Sequence, residues 1–154
     1  MSKVVIYTDG ASSGNPGPGG FGTVLTAGSL RKEVSGGYRK TTNNRMELLA
    51  VIIGLEMLKK PCEVTVVSDS KYVVDAVEKQ WVFGWEKKGF KGKKNMDLWK
   101  RFLVVYRKHR VNFVWVKGHS GHPENERCDA LAVQASKQEK LPPDEGYESQ
   151  FEIG

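Results

Sequence analysis

The sequence predicts an α/β fold in which a five-stranded mixed sheet is flanked by helices. The 154 residues suit one compact domain. The hydrophobic periodicity gives three strands, a helix, a fourth strand, further helices, a last strand and a last helix. Short connections make the first three strands an antiparallel meander. A long helical crossover makes the fourth strand a parallel neighbour of the first.

The predicted strands are β-branched and aromatic runs bounded by turn residues, and they cover residues 4–8, 21–26, 31–38, 63–68 and 111–117. Asp9 and Gly10 are expected to end the first strand. The glycine-rich stretch GASSGNPGPGG, residues 10–20, is expected to be a loop. It lacks the Gly-Lys-Ser/Thr ending of a P-loop and contains two prolines, so a nucleotide cradle is not predicted.

The first predicted helix, residues 46–58, is apolar on nearly every side and should be buried centrally. Asn44 and Glu47, three residues apart, resemble a capping box at its start. Further helices are predicted through residues 72–77, from Asn95 onward and over residues 124–137. Residues 1–140 are therefore expected to form the folded domain. Residues 141–154, which contain prolines and acidic residues, are expected to form a loosely ordered tail.

The positive charge of the chain is concentrated in one segment. The formal net charge is +6, and residues 86–101 alone carry a net charge of +5. A local cluster of lysines with interleaved aromatic residues is typical of a phosphate-binding surface. The alternative is that the lysines form an ordinary solvated face and that the tryptophans pack in the core.

The chain contains two cysteines, Cys62 and Cys128, without a CxxC spacing. This argues against a disulfide framework or a zinc ribbon and fits a reducing compartment. No signal peptide or membrane span is recognisable in the sequence. A cytoplasmic location without membrane contact is the resulting expectation.

Acidic residues follow two of the predicted strands. VVIYTDG and VTVVSDS both place an Asp, Asp9 or Asp69, directly after an apolar strand. If the two strands are parallel, both carboxylates lie at the same edge of the sheet, where α/β proteins bind ligands. The alternative is that each Asp caps a turn. Glu47, at the start of the central helix, has a capping role as its own alternative.

Two further residues are weaker candidates on local grounds. Asp129 lies inside the last predicted helix, where an exposed face is the plainer explanation. His119 lies in the glycine-flanked loop GHSGH, where it is either a proton-transfer group or an ordinary surface histidine. A zinc site at His119 and His122 is not predicted, because no HExxH helix or further Cys/His cluster accompanies them.

Crowded carboxylates cannot all remain ionised without a compensating charge. A divalent cation supplies that charge, and Mg²⁺ prefers oxygen ligands. Two such ions close together support phosphodiester hydrolysis. The acidic residues therefore point to a metal-dependent phosphodiesterase.

The chain resembles type 1 ribonuclease H, the bacterial RNase HI family, over about residues 3–137. The motifs that carry the resemblance are YTDGASSGNPGPGG, TTNNRMELLA, SDSKYV, the stretch from Gln80-Trp81 to KNMDLW, and WVKGHSGHPENERCDALA. The resemblance implies a ribonuclease H-like fold for the catalytic domain. It also implies hydrolysis of the RNA strand of RNA–DNA hybrids by two Mg²⁺ ions, for which Mn²⁺ substitutes, giving 5′-phosphate and 3′-hydroxyl ends. A monomer is expected.

The resemblance also implies residue roles. The metal-binding carboxylates would be Asp9, Glu47, Asp69 and Asp129. His119 would aid proton transfer or product release. Contacts to the RNA strand near its 2′-hydroxyls are implied for Ser12, Asn15, Asn43 and Asn44. A pocket for a DNA-strand phosphate would contain Thr42, Trp81 and Asn95. A basic protrusion on the nucleic acid would consist of Trp99 with Lys87, Lys88, Lys91, Lys93 and Lys94.

Two rival functions remain at this point. A non-catalytic module that binds hybrids or duplexes would need the basic segment but not the acidic set. Another nuclease of the same fold, such as a junction resolvase or an integrase-like core, would lack the asparagine-rich segments. The basic segment between Trp85 and Trp99 is shorter than in the best-known bacterial members, which leaves its shape and hybrid affinity open.

Overall fold

One five-stranded sheet forms the centre of the protein, in a computed structural model that describes residues 1–151. The strands are β1 (Ser2–Ser12), β2 (Gly17–Ala27), β3 (Leu30–Thr41), β4 (Cys62–Ser68) and β5 (Arg110–Trp115). Their order across the sheet is β3-β2-β1-β4-β5. The β1–β2 and β2–β3 pairs are antiparallel, whereas β1–β4 and β4–β5 are parallel. The predicted fold class is confirmed.

The helices cover both faces of the sheet. They are α1 (Asn43–Glu56), α2 (Lys71–Glu78), α3 (Trp81–Lys87), α4 (Met96–Tyr106), α5 (Pro123–Ser136) and the short α6 (Glu145–Glu148), which continues into a 3₁₀ turn at Ser149–Phe151. Within the described residues, no helix is long and apolar enough to cross a bilayer.

Successive side chains of a strand point to opposite faces of the sheet, so the sheet separates two apolar cores. Ile6 of β1 contacts the α1 side, where Gly54 approaches it closely, and belongs to the main apolar cluster. Tyr7, the next residue, packs with Val24, Cys128 and Leu131 in a smaller cluster under α5. The sheet therefore lies between α1 and α5, and each side-chain face of β1 serves a different core.

The glycine-rich stretch is mostly strand, and the prediction of a loop over residues 10–20 was wrong. β1 continues through Ser12 and β2 begins at Gly17. A Cβ atom at Gly20 would lie 2.4 Å from the carbonyl oxygen of Ala132, and one at Gly22 would lie 2.2 Å from that of Cys128. These glycines are needed because α5 packs directly on the strand backbone, not because the chain turns there.

Helix α1 begins earlier than the sequence predicts. Its N-cap is Thr42, whose hydroxyl accepts a hydrogen bond from the Arg45 backbone N–H at 3.3 Å. Asn44 is therefore already helical, and the expected Asn44–Glu47 capping box is not formed. Because Thr42 caps the helix, the Glu47 side chain is not used as a cap and is free to lie at the edge of the sheet.

The C-terminal segment, defined as residues 141–151, packs onto the domain, which corrects the expectation of a loosely ordered tail. Asp144 is buried, and its carboxylate accepts hydrogen bonds from the Thr41 hydroxyl at 2.6 Å and from Arg45 Nε at 2.9 Å. Composition suggested disorder, but a buried Arg45 requires an acidic partner. The last part of the expected tail, residues 152–154, lies outside the described residues.

Replacing Gly22 by Ala is expected to lower the free energy of unfolding by about 1–3 kcal/mol, because the methyl group would overlap the α5 backbone. Gly84→Ala is the control, since a Cβ at Gly84 meets no atom within 4 Å. Gly84 lies in α3, so its replacement should be neutral or stabilising by up to about 1 kcal/mol. Urea unfolding of both variants measures the difference. Equal stabilities would contradict the packing explanation.

Replacing Asp144 by Ala is expected to cost about 2–3 kcal/mol of stability, because it leaves the buried Arg45 guanidinium with Asp97 as its remaining acidic partner. The neighbouring Glu145 is exposed, so Glu145→Ala should change stability by less than about 0.5 kcal/mol. Thermal or denaturant unfolding compares the two. An Asp144→Ala variant as stable as Glu145→Ala would show that the segment is not anchored by this contact.

Candidate active site and nucleic-acid interface

Three carboxylates meet at one edge of the sheet. Asp9 lies inside β1, Glu47 in α1, and Asp69 directly after β4. The parallel register pairs Thr8 with Ser68, so the residues that follow them, Asp9 and Asp69, lie side by side. Each of the three offers an oxygen that lies within 4.8 Å of the others. The predicted convergence is confirmed, although Asp9 does not end its strand.

The backbone of Gly10 connects two of these carboxylates. Its N–H lies 2.9 Å from Asp9 Oδ1 and 3.1 Å from Glu47 Oε1, and both oxygens accept from it. A Cβ on Gly10 would lie 2.4 Å from the Glu47 backbone nitrogen. Only glycine therefore allows β1 to approach the start of α1 closely enough for this shared contact.

Asp69 is contacted by the last residue of β5 and by the loop that follows β5. The Trp115 indole Nε1–H donates to the Asp69 backbone carbonyl at 3.1 Å. Gly118 lies against the Asp69 side chain, since a Cβ there would be 2.6 Å from Oδ2. The loop that carries His119 is thus packed directly on one of the carboxylates.

Burial opposes ionisation throughout the cluster. It raises the pKa of Glu47 well above its usual value, and the nearby Asp9 carboxylate raises it further. Burial also raises the pKa values of Asp9 and Asp69. The negative charges of neighbouring carboxylates raise both pKa values further. Glu47 Oε2 is buried without a hydrogen-bond partner among the described residues. An all-oxygen donor set with an unpartnered buried oxygen fits a hard divalent cation.

Asp129 and His119 border the same cavity as the three carboxylates. This cavity has a volume of about 290 Å³ and is lined by Asp9, Gly10, Ala11, Ser12, Asn43, Glu47, Asp69, His119 and Asp129. Asp129 reaches it from α5 but is outside the group of three whose oxygens lie within 4.8 Å. His119 is exposed and has a left-handed backbone conformation, with φ of 56°.

The residues assigned to the RNA strand divide between two cavities. Ser12 and Asn43 line the carboxylate cavity. Asn15 and Asn44 line a neighbouring one. Asn15 Oδ1 also accepts a hydrogen bond from the Asn43 backbone N–H at 3.0 Å. Asn15 therefore ties the turn after β1 to the start of α1.

The neighbouring cavity, here called the α1–α4 cavity, has a volume of about 420 Å³. Thr42 and Asn44 line it from the start of α1, and Lys94 and Asn95 from the residues before α4. Thr42 and Asn95 of the expected phosphate pocket are thus brought together. Trp81 does not line this cavity; it begins α3 and is 48% exposed.

Trp99 is completely buried, so its assignment to the nucleic-acid surface was wrong. Its indole N–H donates to the Tyr72 hydroxyl at 2.9 Å, and its ring packs edge-on against Trp85 and Phe102. Trp99 lies on the inner face of α4, where an apolar ring of this size stabilises the core. The alternative that the tryptophans pack in the core holds for this residue.

The five lysines of the basic segment are exposed. Lys87 ends α3, and Lys88, Lys91, Lys93 and Lys94 lie in the turn that leads to α4. Phe90 anchors that turn, because its side chain is buried and its N–H donates to the Trp85 carbonyl at 2.8 Å. The lysines therefore project from a turn that is fixed to the core.

Arg45 is the residue that sequence reasoning missed. It is buried, and its guanidinium makes paired hydrogen bonds to Asp97 and to Asp144, with a further bond to Asn95 Oδ1 at 3.3 Å. The available signal was an arginine at the start of a helix that is predicted to be buried on nearly every side, because a buried arginine requires acidic partners.

The family model described as RNase H matches residues 1–137. The chain belongs to the RNase H family. It is 57% identical over 152 residues to a ribonuclease H of Rippkaea orientalis, covering 96% of this chain and 93% of that protein. It is 60% identical over 145 residues to a ribonuclease H of Lachnoclostridium phytofermentans, covering 87% of this chain and 92% of that protein.

Solved structures of the family are similar to this chain. LC9-RNase H1, described as a type 1 RNase H with the type 2 active-site motif, superposes with a TM-score of 0.81 at 30% identity, covering 99% of this chain and 82% of that one. LC11-RNase H1 in complex with an RNA/DNA hybrid gives a TM-score of 0.68 at 28% identity, covering 86% and 95%.

The raised pKa values in the cluster predict how the stability of the metal-free protein depends on pH. A carboxyl with a raised pKa binds its proton more tightly in the folded state than in the unfolded chain. The stability that these three carboxyls contribute is therefore greatest when they are protonated and is lost as the pH rises through their raised pKa values. In EDTA, the free energy of unfolding should fall between about pH 5 and about pH 8.

Asp9→Asn removes one of the repelling charges and should reduce this loss by on the order of 1 kcal/mol. Asp75→Asn, on α2 and outside the cluster, is the control and should retain the wild-type slope. Urea unfolding across the pH range is the measurement. A wild-type stability that rises from about pH 5 to about pH 8 would contradict the prediction.

Proposed function

We propose that this chain is an endoribonuclease that hydrolyses the RNA strand of RNA–DNA hybrids, leaving 5′-phosphate and 3′-hydroxyl ends. The observation that carries the proposal is the cluster of the buried Asp9 and Glu47 with the partly buried Asp69, bordered by polar side chains suited to a nucleic-acid backbone. The similarity to LC11-RNase H1, solved in complex with an RNA/DNA hybrid, supports the substrate class. We also propose a monomeric, cytoplasmic protein.

Mg²⁺ is the proposed cofactor, with two ions per active site in the substrate complex and Mn²⁺ as a substitute. Asp9, Glu47 and Asp69 would hold the metal, with Asp129 contributing from α5. Bound divalent cations supply an activated water and stabilise the leaving oxygen. Neutralising the crowded carboxylates would also remove the cost of ionising them in a buried site.

His119 is proposed to move a proton at the leaving 3′-oxygen or to assist product release. Its imidazole borders the carboxylate cavity, and imidazoles exchange protons near neutral pH. The loop that carries His119 packs on the Asp69 side chain at Gly118. The shared cavity supports the proposal that His119 acts on the same substrate as the carboxylates.

Specificity for RNA–DNA hybrids requires that the protein recognise the RNA strand and the DNA strand by different contacts. The 2′-hydroxyl distinguishes RNA from DNA at a given site. Ser12 and Asn43 border the carboxylate cavity, where they would meet the RNA strand, with Asn15 and Asn44 beside them. Thr42 and Asn95 in the α1–α4 cavity, with the exposed Trp81, are proposed to hold the DNA strand.

The exposed lysines add an interaction that does not depend on base sequence. Lys87 ends α3, and Lys88, Lys91, Lys93 and Lys94 lie in the turn between α3 and α4. Neutralising phosphates in this way makes binding weaken as the salt concentration rises. Sequence-specific base readout is not part of the proposal.

Asp69→Asn is expected to lower the rate of RNA–DNA hybrid cleavage by at least about 1,000-fold, because a proposed metal ligand is lost. Hybrid binding should remain within about threefold of wild type, because the binding surface is unchanged. The matched control is Asp75→Asn, an aspartate on the adjacent α2 helix. Gel-based cleavage in Mg²⁺ and binding in EDTA measure the two properties. Near-normal turnover by Asp69→Asn would refute the metal-dependent mechanism.

A substrate panel separates the rival functions. The wild-type protein is incubated with RNA–DNA hybrid, duplex RNA, duplex DNA and branched DNA, each with and without Mg²⁺. Cleavage of the hybrid alone, and only with metal, is the expected result. Binding without cleavage would favour a non-catalytic module. Equal cutting of duplex or branched DNA would favour another nuclease of this fold.

A further inference from the structure

The C-terminal segment forms one wall of the α1–α4 cavity. Tyr147, Gln150 and Phe151 line this cavity opposite the residues contributed by α1 and by the turn before α4. The segment is absent from the RNase H family match, which ends at residue 137. A part of the chain outside the matched region therefore helps to shape a site on the proposed nucleic-acid surface.

The wall is held in place by contacts that do not involve the cavity. The Arg39 backbone N–H donates to the Pro142 carbonyl at 2.9 Å, and the Arg39 guanidinium makes paired hydrogen bonds to Glu148 at 2.9 and 2.8 Å. The buried Asp144 carboxylate accepts hydrogen bonds from the Thr41 hydroxyl and the Arg45 guanidinium. A wall fixed in this way needs little ordering when a ligand binds.

The lining of the cavity suits a phosphodiester. No acidic residue is found among the lining residues of the described chain, whereas Lys94 and three asparagines are. The Asn95 amide Nδ2 donates to the Tyr72 hydroxyl at 3.0 Å and keeps a second proton for a ligand. A cavity lined by an ammonium group and by amide and hydroxyl donors is typical of contacts to the nucleic-acid backbone.

The segment adds donors of its own to this set. Tyr147 is mostly buried, and its hydroxyl makes no protein hydrogen bond within residues 1–151. Gln150 is exposed at the cavity wall, so its amide is accessible to a ligand. The Lys40 ammonium lies 6.0 Å from the centre of the Phe151 ring, which adds a positive charge near the wall.

We propose that the C-terminal segment positions the substrate, with the Tyr147 hydroxyl and the Gln150 amide donating hydrogen bonds to the phosphodiester backbone that enters the α1–α4 cavity. This inference rests on the proposed function, because it takes an RNA–DNA hybrid as the ligand. Neither residue borders the carboxylate cavity. Both therefore act on affinity and KM and leave kcat unchanged.

The test compares charge changes at two adjacent exposed positions, Gln150 in the wall and Ser149 outside it. Hybrid binding is measured in EDTA for Gln150→Glu and Gln150→Lys and for the matched controls Ser149→Glu and Ser149→Lys. Gln150→Glu should weaken binding roughly tenfold and Gln150→Lys should tighten it severalfold, whereas the controls change it about twofold or less. In Mg²⁺, the Gln150→Glu change should appear in KM and not in kcat.

Tyr147→Phe is the second variant, because it removes the hydroxyl and keeps the ring that packs against Phe151 at 5.2 Å. Hybrid binding should weaken about threefold, with an unfolding free energy within about 0.5 kcal/mol of wild type. Gln150 variants that shift binding no more than the Ser149 variants, together with a wild-type affinity for Tyr147→Phe, would overturn the inference. Since binding in EDTA needs no cleavage, absence of hybrid cleavage by the wild type would refute the proposed function separately.

Discussion

The close approach of β1 to the first turn of α1 at Gly10 is the constraint on which the candidate site depends. The Gly10 N–H lies within hydrogen-bonding distance of the Asp9 and Glu47 carboxylates. Any side chain at this position would collide with the α1 backbone and separate the two groups. The β1–β4 register then brings Asp69 beside them. A cluster of three acids is thus a consequence of one backbone contact and one strand pairing.

This arrangement is costly for the metal-free protein. Burial raises the pKa values of Asp9, Glu47 and Asp69, because taking a carboxylate out of water without a partner is unfavourable. Similar chemistry appears on another side of α1, where Arg45 is buried but surrounded by Asp97 and Asp144. The buried cation Arg45 has its counter-charges within the chain, whereas Asp9 and Glu47 have no cationic partner within residues 1–151. That contrast separates the structural ion-pair network at Arg45 from the acidic cluster, for which a metal ion is the proposed counter-charge.

The sequence predicted those parts of the fold that depend on local patterns. Repeated strand-Asp motifs led to the pairing of Asp9 with Asp69, because strand polarity follows from connection length. The position of Asp129 depends on how α5 crosses the sheet, and no local sequence pattern encodes that crossing. Only the family resemblance connects Asp129 with the other carboxylates. The C-terminal segment was misjudged for a related reason: its anchor, Asp144, meets Arg45 across 99 residues. Likewise, glycines that permit close helix packing are indistinguishable in sequence from glycines that turn the chain.

The first turn of α1 connects all of these features. Asn43 and Glu47 are four residues apart, so they lie on one side of the helix and both border the carboxylate cavity. Asn44, about 100° further around, borders the α1–α4 cavity, and Arg45, the next residue, holds the C-terminal segment that forms its wall. The proposed metal ligand Glu47, the proposed RNA-strand contact Asn43, one side of the α1–α4 cavity and the anchor of the C-terminal segment therefore all lie on one helical turn. Thr42 caps that turn, and hydrogen bonds to Asn15 and Gly10 hold it against the β1 end. A displacement of the turn would therefore change the proposed catalysis and the proposed substrate binding together.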